Sequence, residues 1–464
     1  MLVGGAAAAA PASAAAPAVS ATVLVDSAAT GPRVPNRFLG FSAESANSCA
    51  LARLGPAYRQ LFRNLGPGTV RVGGNTVEGV RWVPAGTARC TADRTVMTKD
   101  LLDEVFALAR SVGWTVTWTV PLDRLDVPSA VAQARHAASQ GAALESVEFG
   151  NEPDLYKGAT DVQAMQDWRT LHRAFRASGA TAPVSGPGTS APSVSGYFGR
   201  FVAAEHEKLS FATAHRYFGG ASTTNPKSVH DLLSPTLMRT ARSSLTAGRQ
   251  AALERGLALE VNETNSFYAG GQEGASDTFA AALWGVDYLF TGLESGVRAM
   301  LLHGVPDDPA GNSHGQEHYE PIRPDGTPAP LYYGMLMFQQ AAPAGATSVS
   351  AAVSSAANVA AHAVRAPDGS LRVVLVNKTT GTDVAATVSL DPRFTSGRVL
   401  RLAGPSVRAT SGATLGGSPV SSSGTWSPRS VQTVEVTDGS SSISVPAASA
   451  VLITYRPEQG LNRP

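Results

Sequence analysis

The sequence predicts an α/β protein made of a (β/α)8 TIM barrel and a C-terminal all-β sandwich domain. Between Val34 and about Gln340, short β-type runs alternate strictly with helical stretches, and eight such repeats suit a closed parallel barrel. After about Gly345, short alternating runs are punctuated by Gly, Asp, Asn and Pro, which is typical of a sandwich. The length of 464 residues also suits about two domains.

The barrel prediction depends on eight strand and helix pairs in chain order. The predicted strands are 38–44, 69–75, 115–122, 146–152, 182–188, 209–217, 257–263 and 297–304. The predicted helices are 51–64, 98–112, 128–140, 160–178, 194–208, 235–255, 276–293 and 331–340. An open doubly wound sheet is the competing architecture. No GxGxxG follows the first strand, which disfavours a dinucleotide-binding fold.

Composition divides the chain into three parts. Residues 1–20 are low-complexity Ala and Pro, and they resemble the tail of a secretory signal without its basic start; a disordered linker is the alternative. Residues 34–342 form the predicted catalytic barrel. Residues 345–457 form the predicted sandwich, and the β-type run within 21–30 could pair into it. We therefore expect export from the cell or into the periplasm, with a cytoplasmic location as the other option.

Charge and cysteine content limit the partners. The net charge is +1 without a basic stripe, so nothing recommends nucleic acid as a partner. No apolar run of about 18 residues occurs, so we expect no membrane span. We also expect the protein to be a monomer. Cys49 and Cys90 each follow an early strand, so an exported protein could join them in a disulfide. The alternative is two unrelated buried thiols, and their spacing makes no zinc site.

Polar residues recur at the carboxyl ends of the predicted strands, where a barrel assembles its active site from βα loops. A structural residue has no reason to be polar there repeatedly. Six of the eight strand ends carry such residues: Glu44, Asn75, Asn151 with Glu152, His215 with Tyr217, Glu263, and His303.

Two of these residues form the pair that sugar chemistry requires. Glu152 and Glu263 end strands four and seven and should face one another across the barrel mouth. In glycoside hydrolysis one carboxyl protonates the leaving oxygen, and the other attacks the anomeric carbon or activates water. We predict Glu152 as the acid/base and Glu263 as the nucleophile. Tyr217 could donate to Glu263, while His215 could support the pair or be a structural histidine.

Three runs together resemble glycoside hydrolase family 79, which holds β-glucuronidases and heparanase-like enzymes. They are RVGGN (71–75), VEFGNEPD (147–154) and LEVNETNSFYAGGQEGASDTFAAALWGVDYL (259–289). Asn-Glu-Pro alone is shared by many clan A glycosidases, whereas the third run is far more specific.

The resemblance implies roles for individual residues. The family's acid/base falls on Glu152, its nucleophile on Glu263 and its sugar-contacting acidic residue on Glu44. Independently of the resemblance, we expect the Asn151 amide to hold the 2-hydroxyl of the sugar ring. The uronate carboxylate would meet Tyr268, Tyr319 and the backbone N–H groups of three residues. Those three residues are Ala269, Gly270 and Gly271. From the polar strand ends themselves, we also predict that His303 contacts the substrate and that Asn75 and His215 support the site from behind.

Several of these assignments have plainer alternatives. Glu44 could be a buried partner of Arg71, and the two tyrosines could be loop anchors. Histidines 303, 314 and 318 could suggest a metal, but their irregular spacing favours exposed loop histidines. We therefore predict no metal and no cofactor.

The function predicted from the sequence is retaining exo-β-glucuronidase activity on a glucuronic-acid-containing glycoside or glycan. One alternative is an endo-acting, heparanase-like enzyme, which the near-neutral charge disfavours. The other is a carbohydrate-binding protein without catalysis, which the intact glutamate pair disfavours.

Overall fold

A computed structural model describes residues 18–84, 90, 93–158, 160–306 and 318–457. Residues 1–17 of the predicted leader and His314 lie outside the described residues. Within the described chain, no helix combines the length and the apolar character needed to cross a membrane.

Eight parallel strands close into a barrel, as the alternating pattern predicts. Strand β11 pairs with β2 to complete the ring, which runs in the order β2, β3, β6, β7, β8, β9, β10, β11. The strands up to the end of the barrel are β1 (Val19–Arg33), β2 (Leu39–Glu44), β3 (Thr69–Gly73), β4 (Arg81–Val83), β5 (Val96–Thr98), β6 (Thr115–Val120), β7 (Leu144–Phe149), β8 (Val184–Thr189), β9 (Phe211–Arg216), β10 (Leu259–Thr264) and β11 (Ala299–His303).

Helices follow the barrel strands and cover the outside of the barrel. They are α1 (Ser48–Ala52), α2 (Pro56–Asn64), α3 (Lys99–Val112), α4 (Val127–Ala138), α5 (Asp161–Ala177), α6 (Tyr197–Glu205), α7 (Val229–Leu232), α8 (Pro235–Leu253), α9 (Phe279–Ser295) and α10 (Pro330–Ala341). The single helix predicted over 51–64 is wrong, because it is two helices. Pro56 begins the second one, and proline is tolerated in a first helical turn but not inside a helix.

The C-terminal domain is a curled, mostly antiparallel sheet of ten strands. Strand β1 belongs to it: β1 pairs antiparallel with one strand and parallel with another, so both chain ends meet in one sheet. The strands of this domain after the barrel are β12 (Thr347–Ser355), β13 (Val359–Arg365), β14 (Leu371–Asn377), β15 (Val384–Ser389), β16 (Phe394–Ala403), β17 (Thr414–Leu415), β18 (Gln432–Glu435), β19 (Ser440–Val445) and β20 (Ser449–Pro457).

Strand β14 shows how the sheet attaches to the barrel. Val373 and Leu375 point into the core that the curled sheet encloses. Val374 and Val376 point the other way and join the core shared with the barrel helices. A strand buried on both faces requires a nearly continuous apolar run, which Leu371–Asn377 provides.

A buried group of charges joins the same two parts. Lys378 Nζ lies 2.5 Å from Asp287 Oδ2 on α9. His362 of β13 bridges two carboxylates of α9, with Nε2 3.1 Å from Asp287 and Nδ1 2.7 Å from Glu294. Burial alone would lower the pKa of His362, but the two carboxylates outweigh burial and raise it to about 9.

This cluster predicts a decline in stability at alkaline pH. The folded pKa of His362 lies above its unfolded value, so its stabilising contribution is full below about pH 6.5 and is lost as the pH rises through about 9. Urea denaturation at pH 6.5 and 9.5 should show a loss on the order of 1–3 kcal/mol. The His362→Gln variant should show a smaller loss over the same range, and an equal loss in both proteins would contradict the prediction.

The two cysteines are joined in a disulfide, Cys49 to Cys90, with 5.6 Å between their Cα atoms. Cys49 lies on α1, so the bond ties the segment after β2 to Cys90, which stands between β4 and β5 in the chain. The alternative of two separate thiols is therefore wrong.

Candidate active site

A cavity of about 570 Å³ opens at the carboxyl ends of the barrel strands. Its volume lies in the range of pockets that hold a small ligand. The residues that line it come from the loops after several strands: Glu44, Asn75, Glu152, Leu155, Ser190, Tyr217, Glu263, Tyr268, Ala269, His303 and Tyr319. Nine of these eleven residues are ones that the sequence singled out.

Glu152 and Glu263 face the cavity from opposite parts of the barrel wall. One oxygen of each carboxylate and a ring nitrogen of His215 all lie within 4.8 Å of one another. His215 Nδ1 is hydrogen-bonded to Glu152 Oε1 at 2.8 Å and lies 3.8 Å from Glu263 Oε1. The imidazole therefore bridges the two carboxylates from below, and its donor set with them is one that could also ligate a cation.

The two carboxylates have different surroundings. Glu263 Oε2 accepts from Arg71 Nη1 at 2.7 Å, and Oε1 accepts from the Tyr217 hydroxyl at 3.0 Å. Burial alone would raise the pKa of Glu263, but His303, His215 and Arg71 outweigh it and hold the pKa well below its usual range. Arg71 is charged at every relevant pH. Glu263 is therefore kept ionised, which its predicted role as a nucleophile requires.

Tyr217 is suited to donate to that carboxylate. Burial and the neighbouring Glu263 raise its pKa well above the ordinary value, so the hydroxyl stays protonated. Its ring stacks on Tyr319 with centroids 6.3 Å apart. The phenol is consequently fixed in the orientation that the hydrogen bond requires.

Arg71 and Glu148 form an ion pair inside the barrel, and sequence reasoning missed it. Both side chains are fully buried, with Arg71 Nε 2.7 Å from Glu148 Oε2. Glu148 also accepts from three barrel residues, Thr119, Thr213 and Asn262. Strand β7 is buried on both faces, because helices cover it outside the barrel and these polar groups lie against it inside. A charged residue in the interior of each of these two buried strands was the available signal.

Asn151 and Asn75 lie at different depths in the site from those that the sequence predicted. Asn151 is buried below the cavity, where Oδ1 accepts from Arg71 Nη2 at 2.9 Å and Nδ2 donates to Asn75 Oδ1 at 3.0 Å. Asn75, expected behind the site, lines the cavity instead. A contact between Asn151 and a ring hydroxyl stays a prediction.

Glu44 lines the cavity at the end of β2. Its carboxylate accepts from the backbone N–H groups of Asn75 and Thr76 and from the Thr76 hydroxyl. His303 Nε2 lies 3.4 Å from Glu44 Oε1, and its Nδ1 lies 3.7 Å from Glu263 Oε2. The alternative that Glu44 pairs with Arg71 is wrong, because Arg71 is engaged by Glu148, Glu263 and Asn151.

The segment after β10 forms another part of the wall. Tyr268 is 55% exposed, and its backbone N–H donates to Gly219. Ala269, Gly270 and Gly271 follow with φ of 62°, 83° and 82°, all left-handed. A side chain at Gly271 would meet the Tyr319 backbone nitrogen at 2.9 Å, so only glycine fits there. Within the described chain, the three backbone N–H groups donate to no other residue.

The loop after β11 is held against this segment. The Asn265 amide donates to the carbonyls of His303 and Tyr319 at 2.9 and 3.0 Å. The His318 backbone N–H donates to Gly270. Tyr319 is thereby placed beside Tyr217 and His303 in the cavity wall.

Leu155 and Ser190 line the cavity, although the sequence did not single them out. Ser190 directly follows β8, so the rule of polar strand ends applied here would have found it. Leu155 is 60% exposed and lies in the turn after Glu152. An apolar loop residue carries no comparable signal.

The fold and the paired carboxylates define the class of protein: a (β/α)8 barrel with an attached β domain and a site of glycosidase type. The family model "Glycosyl hydrolase family 79 C-terminal beta domain" matches residues 361–452. The chain is also similar to curated β-glucuronidases of Aspergillus niger (27% identical over 233 residues) and Neurospora crassa (25% over 256 residues). These matches confirm the resemblance to glycoside hydrolase family 79.

The extent of the matches is limited. The Aspergillus match covers 43% of this chain and 41% of that protein, and the Neurospora match covers 48% and 42%. The chain therefore spans about two-fifths of the length of the curated relatives that it matches.

Solved structures share the whole architecture. A 4-O-α-L-rhamnosyl-β-D-glucuronidase from Fusarium oxysporum superimposes with a TM-score of 0.79 at 19% identity, covering 93% of this chain and 100% of that one. A family 51 arabinofuranosidase from Xanthomonas axonopodis gives 0.68 at 14%, covering 94% and 100%. At these identities the likeness establishes the fold.

Proposed function

We propose that the protein is a retaining exo-β-glucuronidase that removes terminal β-linked glucuronic acid from a glycoside or glycan. One observation carries the proposal: two carboxylates lie with oxygens within 4.8 Å of one another, but only Glu263 is held by a buried arginine. Retaining glycosidases keep their carboxyl groups about 5–5.5 Å apart, whereas inverting enzymes need about 6.5–9.5 Å. The short separation supports double displacement.

In the first step, Glu263 attacks the anomeric carbon while Glu152 gives its proton to the glycosidic oxygen, and the aglycone leaves as an alcohol. The product is a glucuronyl ester on Glu263. In the second step, Glu152, now a carboxylate, takes a proton from water as the water attacks the same carbon. Arg71 and Tyr217 stabilise the Glu263 carboxylate before attack and again after the ester is hydrolysed.

Recognition of the uronate carboxylate would use neutral donors. The described lining of the cavity contains three glutamates and neither lysine nor arginine. Backbone N–H groups in left-handed segments can bind anions without a buried cation. The N–H groups of residues 269–271 and the hydroxyls of Tyr268 and Tyr319 are the donors that we assign to this role.

The same lining favours exo action over the heparanase-like alternative. An enzyme for sulfated chains requires a basic cleft. The described part of the cavity is acidic, with Glu44, Glu152 and Glu263 in its wall. A compact acidic pocket suits one terminal sugar better than an extended sulfated chain.

The proposal is tested by comparing kcat/KM for 4-nitrophenyl β-D-glucuronide and 4-nitrophenyl β-D-glucoside. We expect the glucuronide to be preferred by at least about 100-fold, because losing a charge-assisted set of hydrogen bonds costs about 3 kcal/mol. Preference for the glucoside would refute the carboxylate assignment. Internal cleavage of a uronic-acid polysaccharide, with neither aryl substrate hydrolysed, would favour the endo-acting alternative.

We further propose that the enzyme needs no metal or other cofactor, because carboxylates alone carry both displacement steps. A monomer and an exported location are likewise proposals, to be checked by light scattering and by fractionating the producing cells.

A further inference from the structure

The turn that carries Glu152 is strained and must be held in place. Glu152 has φ 48° and ψ 56°, in the left-handed region that a residue with a side chain adopts only at an energetic cost. Its own backbone makes two contacts: its N–H donates to the Gly188 carbonyl, and its carbonyl accepts from the Leu155 N–H. The orientation of the Glu152 carboxyl therefore depends on how firmly the neighbouring residues are held.

Glu78 fixes the residues on both sides of that strained turn. It lies in the short 3-10 turn Asn75–Gly79 after β3, and unlike Asn75 in the same turn it does not line the cavity. Its Oε1 accepts from the Asn151 N–H at 2.9 Å and from the Tyr156 hydroxyl at 2.5 Å. These two partners bracket Glu152 in the sequence.

The other oxygen of Glu78 ties this turn to a neighbouring loop. Oε2 accepts from the backbone N–H groups of Leu122 and Asp123, both at 2.8 Å. One carboxylate thus joins the loops that follow β3, β6 and β7. Four donors converge on it, and an ionised carboxylate offers only acceptors, so glutamate satisfies all four.

We propose that Glu78 is a positioning residue for the acid/base catalyst, holding the strained backbone that aims Glu152 at the glycosidic oxygen. This inference depends on the proposed function. It goes beyond that function by naming a group that acts on protonation of the leaving group without touching substrate. Tyr156, whose hydroxyl donates to Glu78, is the second residue that holds this turn in place. A side chain at Gly150 would meet its hydroxyl at 2.4 Å, so the turn is closed tightly around it.

Leaving-group dependence tests this role. General acid assistance matters most when the leaving alcohol is a poor one, so a misaimed acid harms alkyl glucuronides more than activated aryl glucuronides. We would measure kcat/KM for methyl and 4-nitrophenyl β-D-glucuronide with wild type and Glu78→Gln. The amide supplies one acceptor oxygen in place of two, so two donors lose their partner. We expect a loss of about 10–100-fold on the methyl glycoside and less than about threefold on the nitrophenyl glycoside.

The matched control is Glu205→Gln. Glu205 is also a buried carboxylate, but its partners Arg169 and Lys208 belong to the outer helical layer. It should lower stability without changing the ratio of the two kcat/KM values. Equal losses on both substrates in Glu78→Gln would overturn the proposal and leave Glu78 a structural residue.

A second variant decides the matter if Glu78→Gln does not fold. Tyr156→Phe removes one donor and keeps the three backbone contacts, so it should show the same selective loss at smaller size. An unchanged ratio in this variant would also overturn the proposal. Failure of wild type to hydrolyse either glucuronide would refute the proposed function itself, whereas normal wild-type turnover with unselective variants would refute only the role of Glu78.

Discussion

Glu263→Gln should lower kcat/KM for 4-nitrophenyl β-D-glucuronide by about 10⁴-fold or more, because removing a nucleophile abolishes the covalent route. The amide keeps the size of the side chain but cannot form the glucuronyl ester. Glu152→Gln should lose about 10²–10⁴-fold, with the greater loss on poor leaving groups. Steady-state kinetics on both variants measures these losses.

The control for both variants is Glu254→Gln, which changes an exposed glutamate just after α8. It should retain wild-type kinetics and wild-type stability. Retained turnover in Glu263→Gln would show that the nucleophile is another group. Sugar binding without turnover in the wild type would instead support the carbohydrate-binding alternative.

The product of the wild-type enzyme checks the same step by another route. Double displacement at the anomeric carbon releases β-glucuronic acid first, because two inversions restore the configuration. Proton NMR in the first minutes of hydrolysis distinguishes the β from the α anomer. Early release of the α anomer would contradict the covalent intermediate, although it would leave the two glutamates as the catalytic pair.

Arg71→Met should lower the stability of the protein, and it should lower its activity at acidic pH. Removing one member of a buried ion pair typically costs about 3–5 kcal/mol, because Glu148 remains buried without its cation. The change also removes the permanent positive charge beside Glu263. The pKa of Glu263 should therefore rise, so its carboxylate becomes protonated at a higher pH.

The rise in the pKa of Glu263 should shift the pH dependence of kcat/KM in one direction, towards higher pH. In the wild type the lowered pKa of Glu263 should keep the proposed nucleophile ionised into acid, so we expect the acidic limb of kcat/KM at low pH. In Arg71→Met that limb should move to higher pH by about one unit or more. Urea denaturation and a pH profile of kcat/KM measure the two effects separately.

Arg298→Met provides the comparison. Arg298 pairs with Glu145 and Glu260 at the amino-terminal ends of the strands, far from the cavity. It should lower stability and leave the acidic limb in place. A similar displacement of the limb in both variants would mean that the shift follows from loosened packing and not from the charge at Arg71.

The sequence by itself determined the barrel and predicted the pair of glutamates that we propose as catalytic. Strand and helix periods are local properties, so alternation over residues 34–340 could be read without tertiary information. Because parallel strands in a barrel bring their carboxyl ends to one face, polar residues at those ends could be placed together. Glu152 and Glu263 followed from that rule together with the family resemblance.

Tertiary structure decided what lies beneath the pair. Whether Arg71 and Glu148 point into the barrel or outward depends on strand tilt and register, which a single strand does not record. The same tilt and register decide that Asn75 lines the cavity and that Asn151 is buried beneath it. Glu78 holds loops after three different strands, and such a contact exists only once the barrel has closed. Local sequence patterns show at which positions polar residues end the strands. Closure of the barrel decides which of those polar side chains contact one another.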